Sequence, residues 1–186
     1  GYEPLLLNYR RTNETWWGCI KEFVEAATNY PSKAKALADR VAFLTEHIPD
    51  LKVILAGESN GTVIADCSMN ILRNNPQVYS IQTGTPFWHR HAMPDRTLVL
   101  NSNGTMPDTF AQGDIPAMLW ATVKGWLGLS PPEENPGTIL RFLRAPGHYY
   151  SWQYPEIYSK IVTFLKENFG GGTGVSPWFG EAQHVR

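Results

Sequence analysis

The stretch Val53-Ile54-Leu55-Ala56-Gly57-Glu58-Ser59-Asn60-Gly61-Thr62-Val63-Ile64-Ala65 decides how the chain is read. An apolar run ends in Gly-x-Ser-x-Gly, and Val63, Ile64, Cys67 and Ile71 follow at helical spacing. A strand over 52–56, a sharp turn and a helix would be written this way. Such a turn lifts one hydroxyl, that of Ser59, to the carboxyl end of a sheet.

Outward from that stretch, strand and helix patterns alternate. Upstream, Ser32 is placed to cap a helix whose apolar side is Leu37, Ala38, Val41, Leu44 and Ile48, with Asp50 marking the turn into the strand. Further back, Trp16, Ile20, Phe23, Val24 and Ala27 have the spacing of one helix face. Leu5-Leu6-Leu7 reads as a short strand buried on both faces. Downstream, Asn74-Asn75-Pro76 stops the helix, and strands are expected over 78–82 and 97–101. Between them, residues 85–91 read as an irregular loop rich in aromatic and basic residues. A loop over 103–108 leads to a helix over 114–127, whose apolar set includes Met118, Leu119, Trp120, Val123 and Trp126. A strand over 138–143 is followed by the loop Ala145-Pro146-Gly147-His148. Pro155 suits the first turn of a last helix, with Ile157, Ile161, Val162, Leu165 and Phe169 inside, and Gly170-Gly171-Gly172 ends it.

Alternating strands and helices imply parallel pairing with right-handed crossovers. The expected fold class is therefore α/β, a mostly parallel sheet of about five strands flanked by helices. Residues 1–169 are expected to form one domain, and 170–186 a glycine-rich, mobile tail.

Composition narrows the function. The 186 residues carry a formal net charge of -1 with no Lys/Arg cluster, so a nucleic-acid partner has no electrostatic footprint. Hydrophobic content of 42% and charged content of 18% describe a globular, soluble chain. No apolar run approaches the roughly 18 residues a bilayer span needs. The start lacks the regions of a signal peptide and an initiating Met, so the chain reads as processed or cut from something longer. The compartment stays open, with the cytoplasm the nominal expectation. Cys19 and Cys67 sit among apolar neighbours and read as buried free thiols. No Cys/His cluster has metal-ligand spacing, so neither a metal nor a cofactor is expected.

In a parallel sheet, sites gather at the carboxyl ends of the strands. Ser59, Asp108 and His148 each fall just beyond such an end, on three different strands. A serine hydroxyl needs a base within hydrogen-bond reach, and the base needs a group that fixes its tautomer. Ser59 is the expected nucleophile, His148 the general base and Asp108 the orienting acid. The Asn60 N–H, at the start of the next helix, is the expected oxyanion donor. Glycines at 57 and 61 leave room for the turn and the close strand–helix contact. His89 and His91 precede Asp108, His47 lies near a helix end and His184 in the tail. Asp114 is the rival acid, since it equally suits a helix cap. Trp88 and Trp120 are the aromatic residues expected nearest the substrate.

With these residues in place, the chain resembles the α/β-hydrolase fold family of serine hydrolases. Gly57-Glu58-Ser59-Asn60-Gly61 resembles the family's nucleophile elbow, residues 104–108 its acid-bearing loop, and Gly147-His148 its histidine loop, in the family's order Ser, Asp, His. Gly1-Tyr2-Glu3-Pro4-Leu5-Leu6-Leu7-Asn8-Tyr9-Arg10 resembles its fourth strand and the loop after it. The family has three further strands upstream, with a glycine loop that supplies a second oxyanion N–H. This sequence shows none of them, so the expectation is either a separate amino-terminal segment or chain that completes the sheet or an oxyanion hole built differently. The resemblance implies hydrolysis of a small or medium carboxylic ester. A binding or scaffold protein that keeps the fold, and an acyltransferase or thioesterase using the same site, are the alternatives.

Overall fold

In the computed structural model, residues 3, 5–6, 30–89, 94–129, 137–139 and 143–170 are described. Helix α1 (Pro31–His47) opens with a proline in its first turn. Its buried residues Ala34, Ala38, Val41 and Thr45 recur at helical spacing. Ser32 lies inside the helix instead of capping it. The cap position is Tyr30, which makes no side-chain capping bond, and Pro31 at the first helical position has no N–H of its own to satisfy. Strand β1 (Val53–Glu58) runs directly into Ser59, and helix α2 (Asn60–Ile71) begins at the next residue. Strands β2 (Val78–Thr83) and β3 (Thr97–Leu100) follow.

These three strands form a parallel sheet in the order β1-β2-β3, with Glu58 opposite Thr83 and Thr83 opposite Leu100. The register brings all three carboxyl ends to one edge. Alternation along the strands divides the core between two faces. On one face Leu55 and Val78 pack with Ala38 and Val41 of α1, with Ala65 and Met69 of α2 and with Leu72 just after it. On the other, Ile81, Leu98 and Leu100 pack with Ile157 and Ile161 of the last helix, α5 (Pro155–Phe169). Lys52 Nζ donates to the Asn168 carbonyl at 2.6 Å, which ties the start of β1 to the end of α5.

Beyond β3 come a short helix α3 (Thr109–Gln112) and helix α4 (Ile115–Trp126). α4 buries Met118 and Thr122 and leaves Leu119, Trp120, Val123 and Trp126 exposed. A helix apolar around most of its circumference gives no periodic clue to its buried face.

The expectation of about five strands in one mostly parallel sheet is corrected in two places. Strands β4 (Thr138–Ile139) and β5 (Leu143–Arg144) pair with each other, antiparallel, as a separate two-stranded ladder. Their partners are fixed by tertiary bonds, Arg144 N–H to Thr122 Oγ1 and Ala145 N–H to the Gly137 carbonyl. Leu5 and Leu6 have no regular structure and are 83% and 93% exposed, so no buried strand forms there. The helix expected over 15–27, Cys19 and the tail beyond 170 lie outside the described residues. Cys67 is a half-buried free thiol, its pKa raised by burial and by the neighbouring Asp66 charge. Among the described residues no helix is long and apolar enough to cross a membrane.

Candidate active site

Ser59 sits between β1 and α2 with φ 53° and ψ −126°. That region costs a non-glycine residue roughly 1–3 kcal/mol, and it persists only where neighbours over-determine it. Here they do. The Ser59 N–H donates to the Thr83 carbonyl at 2.9 Å, extending the β1–β2 ladder by one bond. The Ser59 carbonyl accepts from the Thr62 N–H at 2.9 Å and from Thr62 Oγ1 at 2.7 Å. A Cβ on Gly57 would stand 2.7 Å from the Gly61 carbonyl oxygen, so only glycine permits the strand to turn back this tightly. Gly61 is different: a Cβ there meets nothing within 4 Å, so the steric need shown at this turn rests on Gly57 alone. Asn60 opens α2, which leaves its N–H without an intrahelical acceptor.

Asp108 is fully buried at the cap position of α3. Its Oδ1 accepts the N–H groups of Phe110 and Ala111 at 2.8 and 3.1 Å. Its Oδ2 accepts from His148 Nδ1 and from the Tyr150 hydroxyl, both at 2.7 Å. Four donors converge on one carboxyl, an arrangement only the ionised, acceptor-only form satisfies in full. Nδ1 of His148 therefore carries the proton, and Nε2 is the basic nitrogen. Burial, followed by the charge and hydrogen bond of Asp108 and the charge of Glu58, holds the Tyr150 phenol far above the usual tyrosine range, so it remains a donor.

The loops that carry this pair are stitched together. Thr109 N–H and Oγ1 both donate to the Pro146 carbonyl at 3.0 Å, joining the acid's turn to the histidine's loop. Phe110 stands edge-on to the imidazole, with ring centroids 5.0 Å apart, and Trp88 stands edge-on to Phe110 at 5.2 Å. On the opposite side lies Gly84 with φ +63°. A Cβ there would meet His148 Cε1 at 2.5 Å and Nδ1 at 2.8 Å.

A cleft of about 450 Å³ is lined by Glu58, Ser59, Gly137, Thr138, His148 and Tyr149. Ser59 and His148 thus share one wall-to-wall space, and Asp108 stands behind the histidine. No hydrogen bond joins Ser59 Oγ to His148 among the described residues; such contacts are often long without substrate. Trp88 reaches the pair through Phe110 and does not line the cleft. Trp120 is 62% exposed on the outer side of α4, where its ring carries the Lys124 ammonium at 5.5 Å. Asp114 caps α4 by accepting the Ala117 N–H at 3.0 Å.

Sequence reasoning overlooked Tyr150, two residues beyond His148, although the run Gly-His-Tyr-Tyr was its only signal. It also overlooked a second buried pair, His89 Nε2 against Asp66 Oδ2 at 2.9 Å. The signal there was an acid, Asp66, within the apolar stripe of α2. Among the described residues no group of three or more His, Cys, Asp or Glu side chains is placed to hold a metal ion. A scan against protein-family models, a search of curated proteins and a search of solved structures each return no match.

Proposed function

We propose that this chain is a serine hydrolase that cleaves a carboxylic ester through a Ser59 acyl-enzyme. The observation that carries the reading is the meeting on one cleft of a backbone-strained serine and a histidine backed by a buried, hydrogen-bonded aspartate. Ser59 Oγ attacks the ester carbonyl carbon while His148 Nε2 takes its proton. Asp108 stabilises the imidazolium that forms. The oxyanion accepts from the Asn60 N–H, a donor of a kind typically worth about 3 kcal/mol. The carbon–oxygen bond to the leaving alcohol then breaks as Nε2 returns the proton. A water, activated by the same nitrogen, hydrolyses the acyl-enzyme.

The strand–turn–helix around Ser59, the parallel sheet and the order Ser, Asp, His support an α/β-hydrolase-like architecture. Among the described residues β1 is bonded on one side only, by β2. A segment or separate chain beside its other side, bringing a second oxyanion donor, belongs to the same reading. A cleft of about 450 Å³ suits a small or medium acyl ester.

Labelling with a fluorophosphonate, followed by peptide mapping, tests the proposal. The expected adduct is on Ser59 and is lost in Ser59→Ala. Absence of any adduct on folded protein, with the longer chain or its partner supplied, would overturn it. One observation favours a second reading, a binding or scaffold protein: Ser59 and His148 are not hydrogen-bonded. That reading expects biological activity to survive Ser59→Ala. Transfer to added alcohols would identify an acyltransferase.

A further inference from the structure

We propose that Tyr150 is a positioning residue of the Asp108–His148 pair, its phenol competing with the imidazole for one carboxylate oxygen and thereby setting how firmly the carboxylate holds the imidazolium. The inference rests on the hydrolase reading and adds a control element to the same site.

The geometry carries it. Both donors reach Asp108 Oδ2 at 2.7 Å, while Oδ1 is occupied by two backbone N–H groups. Oδ2 is thus the only carboxylate oxygen through which the imidazole can be stabilised, and half of its hydrogen-bonding capacity is given to the phenol. The phenol O–H draws on the same negative charge of Oδ2 that stabilises the imidazolium, so two donors on one oxygen are each held less strongly than one alone. Tyr150 is itself fixed. Its ring packs with Leu100, Ile157 and Ile161, and its edge lies 3.0 Å from where a Cβ on Gly84 would be. Its high proton affinity, caused first by burial and then by Asp108, keeps the hydroxyl a donor throughout the working pH range. The other titratable groups that the described residues bring to the pair are Glu58 and Tyr149, both on the cleft. Neither is hydrogen-bonded to Asp108.

Removing the phenol O–H leaves Oδ2 to the imidazole alone, the imidazolium becomes more stable, and His148 gives up its proton at higher pH. In Tyr150→Phe the acid limb of the kcat/KM profile is expected to move up by roughly half to one pH unit. The His148 Cε1–H resonance, followed by NMR against pH, should shift its midpoint by the same amount. Activity then falls severalfold on the acid side and stays near the parent level on the alkaline side. Replacing Tyr150 by 3,5-difluorotyrosine keeps the ring and strengthens the donor, so the midpoint should move down. A uniform loss at every pH with an unmoved NMR midpoint, in either folded variant, would overturn the proposal and leave the hydrolase reading intact. A moved midpoint in a chain that takes no fluorophosphonate would sink the hydrolase reading while supporting the coupling of Tyr150 to the pair.

Discussion

Two buried aspartates meet imidazoles in this molecule, Asp108 with His148 and Asp66 with His89, and the pairs are alike in distance and burial. They differ in what surrounds them. Asp108 caps a short helix at the end of a strand loop, accepts four hydrogen bonds and backs a histidine that lines a cleft with Ser59. Asp66 stands in the middle of α2. Its Oδ2 takes His89 Nε2 and a long 3.4 Å contact from the Asn70 amide. His89 ends the turn after β2, its N–H bonded to the Pro86 carbonyl, and is not among the residues lining the cleft. The second pair fastens the loop bearing Phe87 and Trp88 onto α2. On the proposed reading, the Asp108–His148 pair serves chemistry because its histidine lines a cleft with Ser59, while the Asp66–His89 pair serves to hold a loop to a helix.

This contrast predicts opposite phenotypes. His148→Ala should lower kcat by about 10⁴-fold or more, as loss of one member of a cooperating set does. His89→Ala should leave kcat per folded molecule within about threefold. Its cost should appear as stability, about 3 kcal/mol, because it leaves a buried carboxylate without its main partner. Steady-state kinetics and urea denaturation on both variants separate the two. Loss of rate without loss of stability in His89→Ala would erase the distinction.

A smaller effect sharpens the same point. Gly84→Ala puts a methyl against His148 Cε1 and Nδ1, and among the described glycines none crowds His89 in this way. The imidazole must move away from Asp108 or from the cleft. A displacement near 1 Å at a catalytic group can cost on the order of 10²-fold in rate. The expected result is a kcat lowered by about that factor, with the Asp66–His89 pair and most of the stability retained.

The readable parts of the molecule were those written locally. The apolar run before Gly57, the glycine that lets the chain turn back on itself and the helical spacing after it are encoded within a dozen residues, and β1, Ser59 and α2 follow. Pro155 and the apolar side of α5 were legible for the same reason. What failed was pairing. The sequence reads 138–143 as one strand, but Thr138–Ile139 pairs antiparallel with Leu143–Arg144, held by Thr122 and Gly137, and no local period encodes that. Leu5-Leu6-Leu7 has a buried strand's composition, yet Leu5 and Leu6 are exposed, since hydrophobicity names no neighbour. At the candidate site, the meeting of Ser59 and His148 on one cleft with Asp108 behind the histidine was legible from order and position at strand ends. Tyr150 and Gly84 were not, because their roles exist only once His148 has been folded against them.

Asp114 provides the smallest and most pointed test, since from sequence it competed with Asp108 for the role of acid. The two stand six positions apart, and both accept backbone N–H groups at a helix start. Asp108 has a second oxygen turned to an imidazole and a phenol; the only side-chain bond Asp114 makes among the described residues is the cap to Ala117. Asp114→Ala should therefore cost about 1 kcal/mol, the ordinary value of a lost cap, and leave the pH–rate profile unmoved. The test is a thermal melt beside a profile. A displaced acid limb in Asp114→Ala would mean that α4's first turn, and not α3's, orients the base.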